Sequence, residues 1–257
     1  MKLENMFNGL IALIYPKKCV CCKELINEED DLCDACKNKI ERNGDKICTW
    51  CGQQQKYCEC KFRVYRFRGI VAPFLNEGLA QQGLYDIKFH NRSSNAVFFA
   101  KEMAKVVNKH FKNIKFDVIC PVPMFYLKKA ERGYNQSEIL AKELSRILGI
   151  KTDTSVLFSH RKKKIQHEIK SVTERYSNIK GRYYCKKKIN FKNVLLVDDV
   201  KTTGATIDEC SRQLMLAGAE NVYCVTALIT NPWLKKAKKK DIIKNKSGDK
   251  NGNRNRN

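Results

Sequence analysis

The chain has 257 residues, 43% of them hydrophobic, and 50 Lys/Arg against 27 Asp/Glu give a formal net charge of +23. That length allows one large domain, or a medium domain with a small appendage, and the apolar content suffices for a packed core. No run of eighteen apolar residues occurs, which excludes a membrane-spanning helix.

Met1–Tyr15 carries Leu3, Phe7, Leu10, Ile11, Leu13 and Ile14. It lacks the basic n-region and the small-residue cleavage site of a signal peptide. It reads as an amphipathic helix packing on the body, and the expected location is the cytoplasm.

Nine of the thirteen cysteines follow within Cys19–Cys60, grouped as Cys19-Val-Cys21-Cys22, Cys33-Asp-Ala-Cys36, Cys48-Thr-Trp-Cys51 and Cys58-Glu-Cys60. A Cys-x-x-Cys turn presents two thiolates to one tetrahedral ion, and a second pair about ten residues on completes the shell. The economical assignment is two structural zinc sites, Cys19/Cys22/Cys33/Cys36 and Cys48/Cys51/Cys58/Cys60. Cys21 can replace a neighbour, and the Cys58-x-Cys60 pair is tighter than usual. Disulfides are the alternative, disfavoured by a reducing cytosol and by turn-type spacing. A unit of residues 1–62 is too short to fold on its own core, so metal binding is expected to supply most of its folding free energy.

Tyr57, Phe62, Tyr65 and Phe67 interleave with Arg63, Arg66 and Arg68. The alternation over Phe62–Ile70 reads as a half-buried strand, and a base-stacking surface is the alternative. From 63 to 232 the pattern is α/β. Helices are expected over Leu75–Phe89, Ser94–Phe111, Ser137–Leu148 and Thr206–Leu216, and strands over Phe116–Cys120, Asn193–Val197 and Asn221–Ile229. Strands alternating with helices imply a parallel twisted sheet, with ligands beyond the strands' carboxyl ends. Cys120, Cys210 and Cys224 fall at core positions.

Two strand-end loops carry polar chemistry. In Pro121-Val-Pro-Met-Phe-Tyr-Leu-Lys-Lys-Ala-Glu-Arg-Gly-Tyr-Asn-Gln136, proline stops the strand, Arg132 beside Gly133 offers a planar fork for a pyrophosphate, and Asn135 suits an N-cap. In Val194-Leu-Leu-Val-Asp-Asp-Val-Lys-Thr-Thr-Gly-Ala-Thr206, an apolar strand runs into Asp198 and Asp199, then into a loop of Thr202, Thr203, Gly204, Ala205 and Thr206 at a helix start. Free backbone N–H groups and the helix dipole there stabilise a phosphate. The acid pair accepts from a vicinal diol, directly or through Mg²⁺. Between the loops, Ser159–Lys180 is basic and polar.

Lys235–Asn257 holds ten Lys/Arg and two Asp amid Asn, Gly and Ser; residues 233–257 are expected to be a disordered basic tail. The remaining chain keeps about +15, and two four-thiolate zinc sites would lower that to roughly +11. The excess points to a polyanionic partner, nucleic acid first.

The acid pair and its threonine loop resemble the 5-phosphoribosyl-1-pyrophosphate (PRPP) loop of type I phosphoribosyltransferases. The whole order is similar to the ComF family of competence-associated proteins: paired N-terminal cysteines, Ile87-Lys-Phe89, Pro-Val-Pro with Arg-Gly-Tyr-Asn-Gln, a basic segment with Gln166, Arg175 and Asn178, then the acid-pair loop. That resemblance implies a double zinc ribbon before a phosphoribosyltransferase-like domain. It implies a pyrophosphate loop including Pro121, Val122, Pro123, Lys128, Arg132 and Gly133, and a flexible loop including Arg161, Lys164, Gln166 and Arg175. It also implies Mg²⁺ with PRPP at Asp198 and Asp199, and single-stranded DNA, competence helicase-type and DNA-processing proteins as partners. Two readings follow, a binding module or a working transferase whose acceptor has no signature here.

Overall fold

A computed structural model of the chain describes residues 16–58, 60, 64–90, 93–160 and 179–232. The expected N-terminal helix, the flexible-loop residues Arg161, Lys164, Gln166 and Arg175, and the basic tail lie outside those residues. Five parallel strands form the main sheet: β1 (Gly69–Val71), β2 (Phe74–Leu75), β3 (Val118–Pro121), β6 (Asn193–Lys201) and β7 (Asn221–Ile229). Their order is β1-β7-β6-β3, with β2 continuing the β1 edge against Leu228 and Ile229. β4 (Leu157–Ser159) and β5 (Tyr183–Cys185) make a separate antiparallel pair.

Helices cover both faces, so the central strands are apolar on both sides rather than alternating. Leu195, Val197, Val225 and Ala227 cluster with Phe98, Phe99, Met103 and Val107 of α3 (Ser93–His110) and Leu140 and Leu144 of α5 (Gln136–Leu148). The alternate residues Val194, Leu196, Val222 and Cys224 cluster with Ile207, Cys210 and Leu214 of α6 (Ala205–Ala217), and with Leu157 and Tyr183 of the β4–β5 pair. Asn135 caps α5 by accepting the Ser137 N–H at 3.2 Å, and Gly149 closes it in the left-handed conformation (φ 70°). Among the described residues no helix is long and apolar enough to cross a membrane.

Four expectations need correction. The helix expected from Leu75 starts at Gly78 (α2, Gly78–His90), because Phe74 and Leu75 are held by β7. The acid-pair strand continues four residues further, to Lys201, since β7 still pairs with it at Val200 and Lys201. The strand β4 takes in Ser159, the first residue of the segment expected to be basic and polar, and pairs with Tyr183–Cys185 beyond that segment, a long-range pairing without a local signal. Over Phe62–Ile70 the regular strand begins only at Gly69, although the inside–outside alternation persists. Tyr65 and Phe67 are buried, with rings 4.6 Å apart, while Arg66 is paired with Asp208 at 3.0 Å and Arg68 Nε donates to Asn221 at 3.0 Å. Those two rings are core residues and offer no face to a base.

The cysteine-rich segment is sewn to the sheet. It contains a short helix, α1 (Asp34–Lys39), and two matching turns, Cys19–Lys23 and Cys48–Gly52. In each turn the residue after the second cysteine is left-handed, Lys23 at φ 70° and Gly52 at φ 75°. The outer edge of the sheet is covered by this segment: Ile70 N–H donates to Thr49 O at 2.7 Å, and Leu75 N–H to Glu41 O at 2.8 Å. Asn43 bridges Gly52 O and Ala72 O, and Gln53 reaches Thr230 O at 2.9 Å.

Gly52 makes a testable joint. A Cβ there would meet Ile229 Cδ1 at 2.8 Å and Ile70 Cγ2 at 3.2 Å in a backbone conformation unsuited to L side chains. Gly52→Ala is expected to destabilise the zinc-loaded protein by about 2–4 kcal/mol in denaturant titrations, combining left-handed strain with overpacking.

Candidate functional site

β3 and β6 are parallel neighbours, and Pro121 lies opposite Val197. Their carboxyl ends therefore open side by side, as the crevice rule for parallel sheets requires. A cavity of about 240 Å³ lies there, with Val122, Pro123, Arg132, Asp198, Asp199 and Thr206 in its walls. Two loops nearly eighty residues apart thus contribute to one cavity.

The loop after β3 is held open by specific hydrogen bonds. Residues Tyr126–Arg132 form a short helix, α4, ended by Gly133 in the left-handed conformation (φ 80°). Tyr134 Oη donates to Ile87 O at 2.6 Å, tying the loop to α2. Asn135 Nδ2 donates to Val122 O at 3.0 Å while its oxygen caps α5. Lys128 lies on α4, and its side chain is outside the described atoms. Pro121 faces a neighbouring cleft instead.

Asp198 is the electrostatic centre. It is 8% exposed and accepts from Ser137 Oγ at 2.8 Å and from the Asp199 N–H at 2.9 Å. Burial, and secondarily the Asp199 charge, push its carboxyl well above the usual carboxylate range despite those bonds. Among the described residues neither Asp198 nor Asp199 forms an ion pair. An acid pair of this kind, with Asp198 buried and Asp199 partly exposed, is a ready receptor for a cation or for hydroxyl donors.

The threonine loop is placed less uniformly than its sequence suggests. Gly204 takes the left-handed conformation (φ 84°) immediately before α6, and Thr203 Oγ1 accepts the Ala205 N–H at 3.4 Å. Thr206 lines the cavity beside Tyr183. Thr202 is exposed and lines a smaller hollow with Lys201, Tyr65, Cys51 and Cys60. Lys201 is only 3% exposed, and its ammonium lies 5.8 Å from the Tyr65 ring centre.

Seven wall residues were not among the expected site residues: Met124, Phe125, Asn135, Gln136, Ser137, Arg182 and Tyr183. Gln136 is 2% exposed, and its Nε2 has no hydrogen-bond partner among the described residues; the same holds for Arg182 Nε. An orphan buried donor costs about 1–3 kcal/mol, and both of these belong to residues of the cavity wall. Gln136 and Ser137 adjoin the Arg-Gly-Tyr-Asn motif and were legible as its continuation. Arg182 was hidden in a run of surface charge.

Two thiolate clusters complete the picture. Cys19, Cys22, Cys33 and Cys36, and separately Cys48, Cys51, Cys58 and Cys60, bring their sulfurs within 4.8 Å of one another. Four thiolates and no open position is the donor set of structural zinc. Cys21 falls outside the first cluster. It is fully buried against Gly83, and burial pushes its thiol up to about 12, whereas at Cys19 the N–H groups of Cys22, Cys33 and Cys21 outweigh burial and bring the thiol down to about 7.

Comparison with known proteins agrees with this arrangement. A double zinc ribbon domain matches residues 10–62 and a phosphoribosyl transferase domain matches residues 99–254. The chain is 33% identical to Competence protein F of Haemophilus influenzae over 113 residues, 41% of this chain and 47% of that protein. It is 32% identical to DNA utilization protein YhgH of Escherichia coli K12 over 111 residues, 42% of this chain and 48% of that protein. These matches span about half the length of each relative. Competence protein ComFC of Bacillus subtilis is 24% identical over 207 residues, 76% of this chain and 82% of that protein. A crystal structure of adenine phosphoribosyltransferase gives a TM-score of 0.36 at 16% identity, covering 62% of this chain and 81% of that one, and adds nothing to the domain match. With a phosphoribosyltransferase domain over more than half its length, and two thiolate clusters in the ribbon before it, the chain belongs to the ComF family.

Proposed function

We propose that the cavity binds PRPP or a closely related phosphoribosyl ligand together with Mg²⁺, and that the protein handles single-stranded DNA during DNA uptake in the cytoplasm. The observation that carries the ligand reading is the union, in one cavity, of the Asp198–Asp199 pair with Arg132, Arg182 and the orphan Gln136 amide. Asp198 and Asp199 would accept the ribose hydroxyls and hold Mg²⁺, a hard cation matched to carboxylate oxygens. Arg132 and Arg182 would face the phosphates, where guanidinium forks are strongest. Thr206 and the start of α6 would receive the 5′-phosphate. The names of the relatives, competence and DNA utilization, and the chain's net charge of +23 support the DNA half of the reading. On the family pattern, the partners are competence helicase-type and DNA-processing proteins.

The first test titrates a fluorescent single-stranded oligonucleotide with the full chain at several salt concentrations, with and without Mg²⁺-PRPP. A parallel titration of residues 1–234 removes the tail's general affinity for polyanions. Saturable, salt-sensitive binding by both supports the reading, and competition by PRPP would place the strand at the cavity. Absence of binding by the shortened chain would sink the DNA half.

A catalytic reading draws on the same acid pair and arginines, with binding and positioning of a nitrogen acceptor lowering the barrier. It predicts pyrophosphate release from Mg²⁺-PRPP in the presence of the right acceptor.

Gln136→Leu separates ligand binding from packing. It removes an unsatisfied buried amide, so the melting temperature should hold or rise while Mg²⁺-PRPP binding weakens by about 10- to 100-fold, the worth of one hydrogen bond to a charged group. Calorimetric titration checks the second effect, and unchanged affinity would remove Gln136 from the ligand set.

A further inference from the structure

The β4–β5 pair has two unlike faces. Leu157 and Tyr183 point inward and are buried against α6, as the alternation of a half-covered antiparallel pair dictates. The outward set is Phe158 and His160 on one strand and Tyr184 and Lys186 on and just after the other. Phe158 and Tyr184 are cross-strand partners with ring centres 5.7 Å apart. His160 stacks on Tyr184 at 4.2 Å and 18°, and the Lys186 ammonium stands 4.2 Å from the Phe158 ring centre. Phe158 and Tyr184 are only half-buried, and His160 and Lys186 are exposed.

These rings wall a cleft of about 270 Å³, closed on its other side by Pro123, Met124 and Tyr126, the last 66% exposed. Pro123, Met124 and Asn135 line both this cleft and the cavity of the acid pair, so the two spaces adjoin. Ser159 Oγ, in the cleft wall, is buried without a hydrogen-bond partner among the described residues. Planar rings on one wall, an unsatisfied hydroxyl and rim cations together match an unpaired base carried on a phosphate backbone. An aliphatic peptide segment would use neither the ring faces nor the charges. A duplex would keep its bases stacked inside and leave the cleft unfilled.

We propose that the outer face of the β4–β5 pair is a base-stacking platform for single-stranded nucleic acid, with one unpaired base seated in the cleft between Phe158/Tyr184 and Tyr126. The inference rests on the DNA-handling reading and gives it a location. Stacking on aromatic side chains is tolerant of sequence, and the flanking Lys186 supplies a salt-sensitive backbone contact.

The experiment uses the full zinc-loaded chain and two fluorescent single strands of equal length, one normal and one abasic at successive positions. Mg²⁺-PRPP affinity is measured alongside as a check of the fold. Phe158→Leu and Tyr184→Leu, which keep the strands apolar, should each weaken binding of the normal strand by roughly 5- to 100-fold. Abasic-strand affinity should be low and indifferent to either change, and PRPP affinity should stay constant. Lys186→Gln should flatten the salt dependence by about one ion. Equal binding of normal and abasic strands, unaffected by the two leucine variants, would overturn the platform and leave DNA handling intact. Failure of the wild-type chain to bind either strand would overturn the DNA reading and the platform with it.

Discussion

Asp198→Asn with Asp199→Asn is expected to abolish Mg²⁺-PRPP binding while the folded state becomes as stable as before, or more so. Each lost carboxylate contact is worth about 1.5–3 kcal/mol, so the double change should weaken binding by roughly 10²–10⁴-fold. The apo fold has the opposite interest. Asp198 is buried beside a second acid, and its carboxyl is pushed up in pKa by that burial and that neighbour, so ionising it costs stability. An asparagine keeps an oxygen for the Ser137 hydroxyl and the Asp199 N–H, the two bonds that now hold the side chain. A site strained for its ligand gains stability when its charges are removed. Calorimetric titration, melting curves and zinc content together decide the matter. Retained PRPP binding would remove the acid pair from the ligand site, whereas binding lost together with the melting transition would point to a structural role for the pair.

Zinc removal is the second large effect, and it should reach well beyond the ribbon. Structural zinc contributes about 10–16 kcal/mol to small thiolate sites at neutral pH, against total domain stabilities of about 5–15 kcal/mol. The contacts tell where that loss would go. Thr49 O and Glu41 O pair the outer edge of β1 and β2, Gln53 holds Thr230 O beyond the end of β7, and Cys51 belongs to the same apolar cluster as Leu196 and Ile207. Thr202, Lys201, Cys51 and Cys60 share one small hollow, so the second cluster abuts the start of the threonine loop. Chelation, or Cys51→Ser, should therefore abolish the cooperative melting transition of the whole described body, expose an unpaired sheet edge and cause aggregation. Melting of only a minor fraction of the structure, with PRPP binding intact, would show the ribbon to be energetically separate. The first cluster offers a comparison: Cys22→Ser lies at an exposed position, so its effect is expected to be the milder of the two.

The sequence was most informative where function demands a local string of residue types. Cys-x-x-Cys spacing announced both clusters because two ligands on one turn must be close in the chain. The acid pair with its threonine loop, and the Arg-Gly-Tyr-Asn turn, were readable for the same reason: strand end, carboxylates and helix start are contiguous. Asn135 was identifiable as a cap and Gly149 as a stop from backbone chemistry alone. The α/β order followed from apolar runs alternating with helical stripes.

Tertiary structure decided everything that depends on what lies opposite. β6 runs on to Lys201 because β7 is there to pair with it, and Leu75 is a strand residue for the same reason. Tyr65 and Phe67, with an alternation that suits a nucleic-acid surface, became core when the second ribbon and α6 closed over them. Phe158 and Tyr184, in a stretch without local pattern, became a half-buried aromatic pair once β5 returned beside β4. Cys21 was separated from Cys22 by packing against Gly83, a choice that spacing leaves open. Arg182 acquired meaning only when it was brought into one cavity with the loops after β3 and β6. Local chemistry is written in adjacent residues, but burial and orphaned hydrogen bonds belong to pairs distant in the chain.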